Sequence, residues 1–134
     1  MIHDGARPLI TPGLIEDAIR LCFKKKAVVV GVPVKPTIKI VDPKNLFVQK
    51  TLVRDTLWEA QTPQVFAREL ILRAHKVNRC CQPTDDAAMV EALGVAVKIL
   101  QGDYKNIKIT TVEDLNCAEA LLKVTKVMEV RKVT

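Results

Sequence analysis

Apolar positions along the chain fall into two rhythms. Leu14, Ile15, Ala18, Ile19, Leu21 and Cys22 recur at helical spacing behind Thr11-Pro12, where a hydroxyl cap followed by a first-turn proline starts a helix. Lys24, Lys25 and Lys26 end it, because cations complement the carbonyl end of a helix. Residues 27–34 are short and almost wholly apolar, the pattern of a strand in a parallel sheet covered on both faces. A strand ending just before Asp4, then the helix, then this second strand make a crossover unit, so the expected fold class is α/β.

Residues 37–54 change character. Partial alternation in 37–41 and 47–53 flanks Asp42-Pro43-Lys44-Asn45, which is turn chemistry. The pattern predicts a hairpin whose apolar side needs cover from elsewhere, as a projecting arm pairing with a second subunit would have. Further on, residues 66–78 read as an amphipathic helix. Thr84-Asp85-Asp86 caps another that ends at Gly94, and residues 95–100 form a strand. Ile107-Lys108-Ile109 is a short strand or extended segment. Thr111 with Asp114 opens a last helix through Leu122, which extends toward the basic tail. No repeat, linker or low-complexity tract divides the 134 residues, so a single domain over 1–134 is expected, with the arm at about 37–54.

Composition narrows the function classes. With 49% hydrophobic and 27% charged residues the chain reads as globular rather than disordered. No apolar run reaches the length of a membrane span and the start lacks a signal pattern, so no membrane partner is expected. The expected compartment is the cytoplasm, or a plastid in a plant-like source. The four cysteines suggest neither a disulfide framework nor zinc: Cys80 and Cys81 are adjacent, and Cys22 and Cys117 sit in helical patterns as small, buried, reduced thiols. The net charge of +6 is carried by scattered lysines with only 4% aromatics, which argues against nucleic acid and leaves a few cations for phosphorylated small molecules.

Several residues carry two readings each. Asp4, at the carboxyl end of a strand, would hold Mg²⁺ or would merely pair with Arg7 or cap a turn. Lys108 would meet phosphate oxygens as a point charge or lie on the wet face of an alternating strand. Arg54 would clamp a phosphate or pair with Asp55, and Thr37 at the other foot of the hairpin would donate to the same ligand. Thr62 precedes a proline and Thr84 resembles a helix cap, which leaves both ambiguous. Trp58 reads as core. The two histidines have no nucleophile partner, and the five glycines form no phosphate-cradling loop.

The order of the mixed segments is informative. His3-Asp4-x-Ala6-Arg7-Pro8, Pro33-Val34-x-x-Thr37-Ile38-Lys39, Leu57-Trp58-x-Ala60-Gln61-Thr62-Pro63-Gln64, Thr84-Asp85-x-Ala87, Val90-Glu91-x-Leu93-Gly94, Gly102-Asp103-x-x-Asn106-Ile107-Lys108-Ile109-Thr110 and Glu113-Asp114-Leu115 follow one another. In that order the chain resembles the 2-C-methyl-D-erythritol 4-phosphate cytidylyltransferases, starting near the middle of that family's domain. The related ribitol-phosphate cytidylyltransferases share the Gln-Thr-Pro-Gln and Asn-Ile-Lys segments. Leu57-Trp58 and the stretch from Thr84 to Gly94 look more like the methylerythritol branch.

The resemblance implies a partial Rossmann-like nucleotidyltransferase sheet with flanking helices and a projecting β-hairpin arm. It also implies transfer of a cytidylyl group from CTP to methylerythritol phosphate with release of pyrophosphate. By matched position Asp4 would serve a Mg²⁺–nucleotide site, and Arg54 and Lys108 would be the catalytic, substrate-orienting cations. Thr37, Arg7, Thr62 and Thr84 would join them in binding substrate. The hairpin would be a homodimer arm reaching into the neighbouring site. Pro36 and Gly5 stand where the family usually has aspartate and alanine. The family's glycine-rich nucleotide loop has no counterpart, so the chain is expected to be an incomplete part that is inactive alone. It would otherwise be a subunit complemented by a separate half, or a non-catalytic dimerisation or phosphate-binding module.

Overall fold

Thr11 opens the first helix, α1 (Pro12–Lys25), by accepting the amide N–H of Leu14 on its hydroxyl at 3.3 Å. Lys26 closes it in the left-handed region, at φ 67°, with its own N–H returned to the Cys22 carbonyl. This computed structural model describes residues 1–77 and 83–130. The helix hands over at once to β1 (Ala27–Pro33), the most buried strand. Its side chains alternate between two cores. Val28 and Val30 meet Ala18, Cys22 and Val65 beneath α1. Ala27 and Val29 meet Phe66, Ala74, Ala87, Met89 and Val90 under α2 (Arg68–Val77) and α3 (Asp86–Glu91). Burial on both faces explains the continuous apolar run, each valine contributing about 2 kcal/mol of transfer free energy.

The sheet is mixed rather than all parallel. β1 lies between β4 (Trp58–Phe66), antiparallel to it, and β5 (Lys98–Gln101), parallel to it. Ile2 forms an antiparallel bridge to Gln64 on the far side of β4. The segment before α1 therefore runs parallel to β1 with β4 between them, and α1 makes the predicted crossover. Sequence patterning gave no strand at 58–66, because Glu59, Gln61, Thr62, Pro63 and Gln64 interrupt any alternation. Gln61 and Gln64 are nonetheless buried, their amides satisfied by hydrogen bonds.

β4 is bulged where the polar run lies. Between the Val29–Gln64 and Gly31–Ala60 pairs, β1 has the single residue Val30 while β4 has Gln61, Thr62 and Pro63. A bulge re-aims side chains that a regular strand would send into the core. The Thr62–Pro63 peptide is cis.

The hairpin is present: β2 (Lys39–Val41) and β3 (Val48–Thr51) form a two-stranded sheet of their own among the described residues. Leu46, Phe47, Val48 and Val53 are exposed on it. A 3-10 turn at Arg54–Thr56 returns the chain to β4. Four expectations need correction. The strand foreseen at 95–100 begins only at Lys98. Asp85, not Thr84, caps α3, accepting from the Ala88 amide. Trp58 is 39% exposed at the root of the arm rather than core. Cys117 is exposed on the last helix, α4 (Val112–Val130), while Cys22 is buried. Cys80 and Cys81 lie outside the described residues.

α4 starts with a reciprocal cap. Asp114 Oδ2 accepts from the Thr110 and Thr111 amides and the Thr110 hydroxyl, while Thr111 Oγ1 accepts from the Asp114 amide. These bonds hold the Asp114 carboxyl below its ordinary pKa. Among the described residues no helix is long and apolar enough to cross a membrane.

Candidate active site

The bulge of β4 forms the floor of an open cleft of about 410 Å³, lined by residues that include Asp4, Arg7, Gln61, Thr62, Thr84 and Lys108. Its walls come from distant parts of the sequence, and specific bonds hold them together. Thr62 Oγ1 accepts the Asp4 amide at 3.0 Å and shares a 2.9 Å hydrogen bond with His3 Nδ1. The other ring nitrogen of His3 lies 3.2 Å from the Arg7 carbonyl oxygen. The Asp4–Arg7 turn is thereby pinned to β4.

Arg7 is buried at 7% exposure. Its Nη1 donates to the Asn106 carbonyl at 2.7 Å and its Nε to Asp4 Oδ2 at 3.3 Å. Asn106 is itself 1% exposed and donates its amide to the Thr62 carbonyl at 2.8 Å. Among the described residues its buried side-chain oxygen meets no hydrogen-bond donor. This network fixes the segment that carries Lys108, two residues on. Ile107 and Ile109 are half-buried and Lys108 is exposed between them, the alternation read from sequence, although the segment is extended chain rather than a strand. The Ile109 amide donates to the Ala6 carbonyl, joining this segment to the Asp4–Arg7 turn.

Lys108 Nζ lies 3.2 Å from Asp4 Oδ2, so one carboxylate oxygen meets two cations. Partial burial raises the Asp4 pKa, but the hydrogen bond and charge of Lys108, and then those of Arg7, outweigh it and hold the carboxyl below its ordinary 3.8. A depressed carboxylate pKa contributes stability that is present above 3.8 and lost as pH falls through the folded value. The stability gap between the parent chain and Asp4→Asn is therefore expected to narrow on acidification. Urea unfolding across the acid range checks it; a gap independent of pH would contradict the pairing.

Three carboxylates line the cleft: Asp4, Asp85 and Asp86. Asp85 is committed to the fold, with Oδ1 on the Ala88 amide and Oδ2 on the Gln64 amide. Asp86 Oδ1 is 2.8 Å from His75 Nε2. Asp4 caps no helix, and its side-chain partners are both cations. Among the described residues no three His, Cys, Asp or Glu side chains are grouped to hold a metal ion, so a cation here would take Asp4 from the protein and the rest of its shell from phosphate and water.

The structure thus brings together Asp4, Arg7, Thr62, Thr84 and Lys108, and leaves Thr37 and Arg54 apart. Thr37 is exposed in the neck of the arm, and Arg54 is exposed at its return, donating to the Lys35 carbonyl at 3.1 Å. Four residues were given no role from sequence: His3, Gln61, Gln64 and Asn106. Nothing in their own segments singles out the glutamines or Asn106, since Glu59 and Thr62 flank Gln61 and Lys105 precedes Asn106. Gln64 ties β4 to α3 by accepting the Ala87 amide and donating to Asp85.

A family model described as 2-C-methyl-D-erythritol 4-phosphate cytidylyltransferase matches residues 1–124. The protein of that name from Caldanaerobacter subterraneus subsp. tengcongensis is 52% identical over 124 residues, covering 91% of this chain and 54% of its own length. The one from Alkaliphilus oremlandii is 52% identical over 125 residues, covering 92% and 52%. The crystal structure of 4-diphosphocytidyl-2C-methyl-D-erythritol synthase from Anaerococcus prevotii superposes with a TM-score of 0.82 at 37% identity, over 90% of this chain and 57% of that one. The chain spans about half the length of the curated relatives it matches. The segments that build the cleft, from His3 to Lys108, all fall inside the matched region, and the chain belongs to the 2-C-methyl-D-erythritol 4-phosphate cytidylyltransferase family.

Proposed function

We propose that these residues form the sugar-phosphate side of a cytidylyltransferase site that takes CTP and 2-C-methyl-D-erythritol 4-phosphate. The observation that carries this reading is the convergence of Asp4, Arg7, Thr62, Thr84 and Lys108 on one cleft. In the reaction, a phosphate oxygen of the sugar alcohol forms a bond to the α-phosphorus of CTP. The bond from that phosphorus to the bridging oxygen of the β-phosphate breaks, and pyrophosphate leaves. The protein's contribution is to align two anions that repel each other and to neutralise their charge.

Lys108 supplies a point charge at the cleft, and Thr62 and Thr84 belong to its lining. Arg7 holds Asp4 and the Asn106 segment in place. Mg²⁺ bound through Asp4 would offset triphosphate charge. The arm carries Thr37 and Arg54 away from this cleft and exposes Leu46, Phe47 and Val48. An isolated hairpin is marginal in water, so a second copy that covers the arm while receiving Thr37 and Arg54 in its cleft satisfies both needs. The 134 residues contain no glycine-rich loop to cradle a triphosphate, and pyrophosphate release by this chain alone is expected to be undetectable.

Calorimetric titration with 2-C-methyl-D-erythritol 4-phosphate in Mg²⁺ tests the substrate side directly. Lys108→Met and Arg54→Ala are each expected to weaken binding by on the order of tenfold or more, the worth of one charge-assisted hydrogen bond. Ribitol 5-phosphate is expected to bind more weakly. Unchanged affinity in both variants, or a preference for ribitol 5-phosphate, would contradict this reading.

A further inference from the structure

The neck between the body and the arm is short of backbone bonds. The Val34 amide donates to the Leu57 carbonyl at 3.0 Å, and the next rung is the Leu52 amide on the Ile38 carbonyl. Among the described residues, Lys35, Pro36 and Thr37 between these rungs make no backbone hydrogen bond to the returning strand. Side-chain contacts reach this stretch instead, and two of them come from Tyr104. Tyr104 donates its hydroxyl to the Pro33 carbonyl at 2.7 Å. Lys35 Nζ sits 3.5 Å from the centre of the same ring. The Lys35 carbonyl in turn accepts from Arg54 Nη1.

Tyr104 can serve as an anchor because its own turn is firmly tied. The Gly102 amide donates to the Gly31 carbonyl at 2.8 Å, and Gln61 Nε2 donates to the Asp103 carbonyl at 3.0 Å. The Asn106 amide closes the turn on the Asp103 carbonyl. The same turn leads into Lys108. One short loop therefore holds the cleft's lysine on one side and the root of the arm on the other.

We propose that Tyr104 is a positioning residue that latches the neck of the arm and, through Lys35, sets the orientation of Arg54. This rests on the reading of Arg54 as a ligand for the substrate phosphate. The hydroxyl fixes Pro33, the last residue of β1, and the ring fixes the Lys35 ammonium by cation–π attraction. Arg54 then donates to a carbonyl whose position is set rather than free, which pre-organises its remaining donors.

Two variants separate the contacts in the full chain. Tyr104→Phe keeps the ring beneath Lys35 and removes the donor to Pro33; Tyr104→Leu removes both. Amide hydrogen exchange at Val34 and Leu57 is expected to speed up by about tenfold in Tyr104→Leu and by less in Tyr104→Phe. Exchange in the β1 and β4 core should stay at the parent rate, since Tyr104 is 42% exposed and outside that core. Binding of 2-C-methyl-D-erythritol 4-phosphate should weaken in Tyr104→Leu but show no further loss when the change is added to Arg54→Ala. A purely structural effect would instead multiply with that of Arg54→Ala. Parent-like protection at Val34 and Leu57 in Tyr104→Leu, or multiplying losses in the double variant, would overturn the latch. Faster neck exchange with no effect of Arg54→Ala on affinity would uphold the latch and reject the substrate role of Arg54.

Discussion

Arg7→Met is expected to destabilise the chain by about 3 kcal/mol. The methionine keeps much of the length and apolar stem but has no donors. The Asn106 carbonyl would lose the 2.7 Å bond from Nη1 while remaining inside a residue that is 1% exposed. An orphaned buried acceptor costs more than an average hydrogen bond contributes, because water cannot replace the missing partner. The Asp4 side of the loss is smaller. Its side chain is 31% exposed and keeps Lys108, so solvent and the remaining cation take up most of that charge. Arg7→Lys is expected to recover little, since an ammonium cannot span both acceptors with the fixed fork of a guanidinium. Urea unfolding of the three proteins measures this. A loss below about 1 kcal/mol for Arg7→Met would mean that Asn106 finds another donor and that the network is not held by Arg7.

The second large effect is expected at a glycine. A Cβ on Gly102 would lie 2.5 Å from Gln61 Oε1 and 2.6 Å from Val30 Cγ1. Neither neighbour can give way freely: Val30 is a fully buried, stiff side chain of the central strand, and Gln61 is buried and bonded to Asp103. Gly5 and Gly13, by contrast, have nothing within 4 Å of an added Cβ. Gly102→Ala is therefore expected to cost about 3 kcal/mol through overpacking. It would also push the 102–108 turn away from β1, disturbing Lys108 and Tyr104 together. Thermal unfolding gives the first effect, and the affinity for 2-C-methyl-D-erythritol 4-phosphate gives the second. A near-parent stability would show that the turn can shift without loss, contrary to the tight approach of Gly102 to Gly31.

What the sequence disclosed follows from where each signal originates. Thr11, Lys26 and the valines of β1 act locally or by burial on both faces, so periodicity and cap chemistry locate α1 and β1 almost to the residue. The arm was legible for the same reason, with turn residues between two alternating runs. β4 was not, because its buried positions include Gln61 and Gln64, whose polarity is satisfied by partners far away in sequence. No pattern within nine residues can show that. The cleft was legible only through the family resemblance: Asp4, Thr62 and Lys108 each look equivocal in their own segment. His3 and Asn106 escaped notice because their bonds hold other site residues instead of facing a ligand.

The separation of the bonded residues along the chain has a consequence in time. Arg7 and the Asn106 carbonyl are 99 positions apart, and Asp4 must likewise wait for Lys108. Contacts between such distant positions close large loops and form late. During synthesis, α1, β1, the arm and β4 can all emerge and pair while Asp4 and Arg7 still face water without their partners. The cleft is completed only when the segment through Lys108 has left the ribosome and docked. The charge cluster therefore closes later than the arm, and a chain stopped shortly before Asn106 would carry the arm while Asp4 and Arg7 lacked their partners.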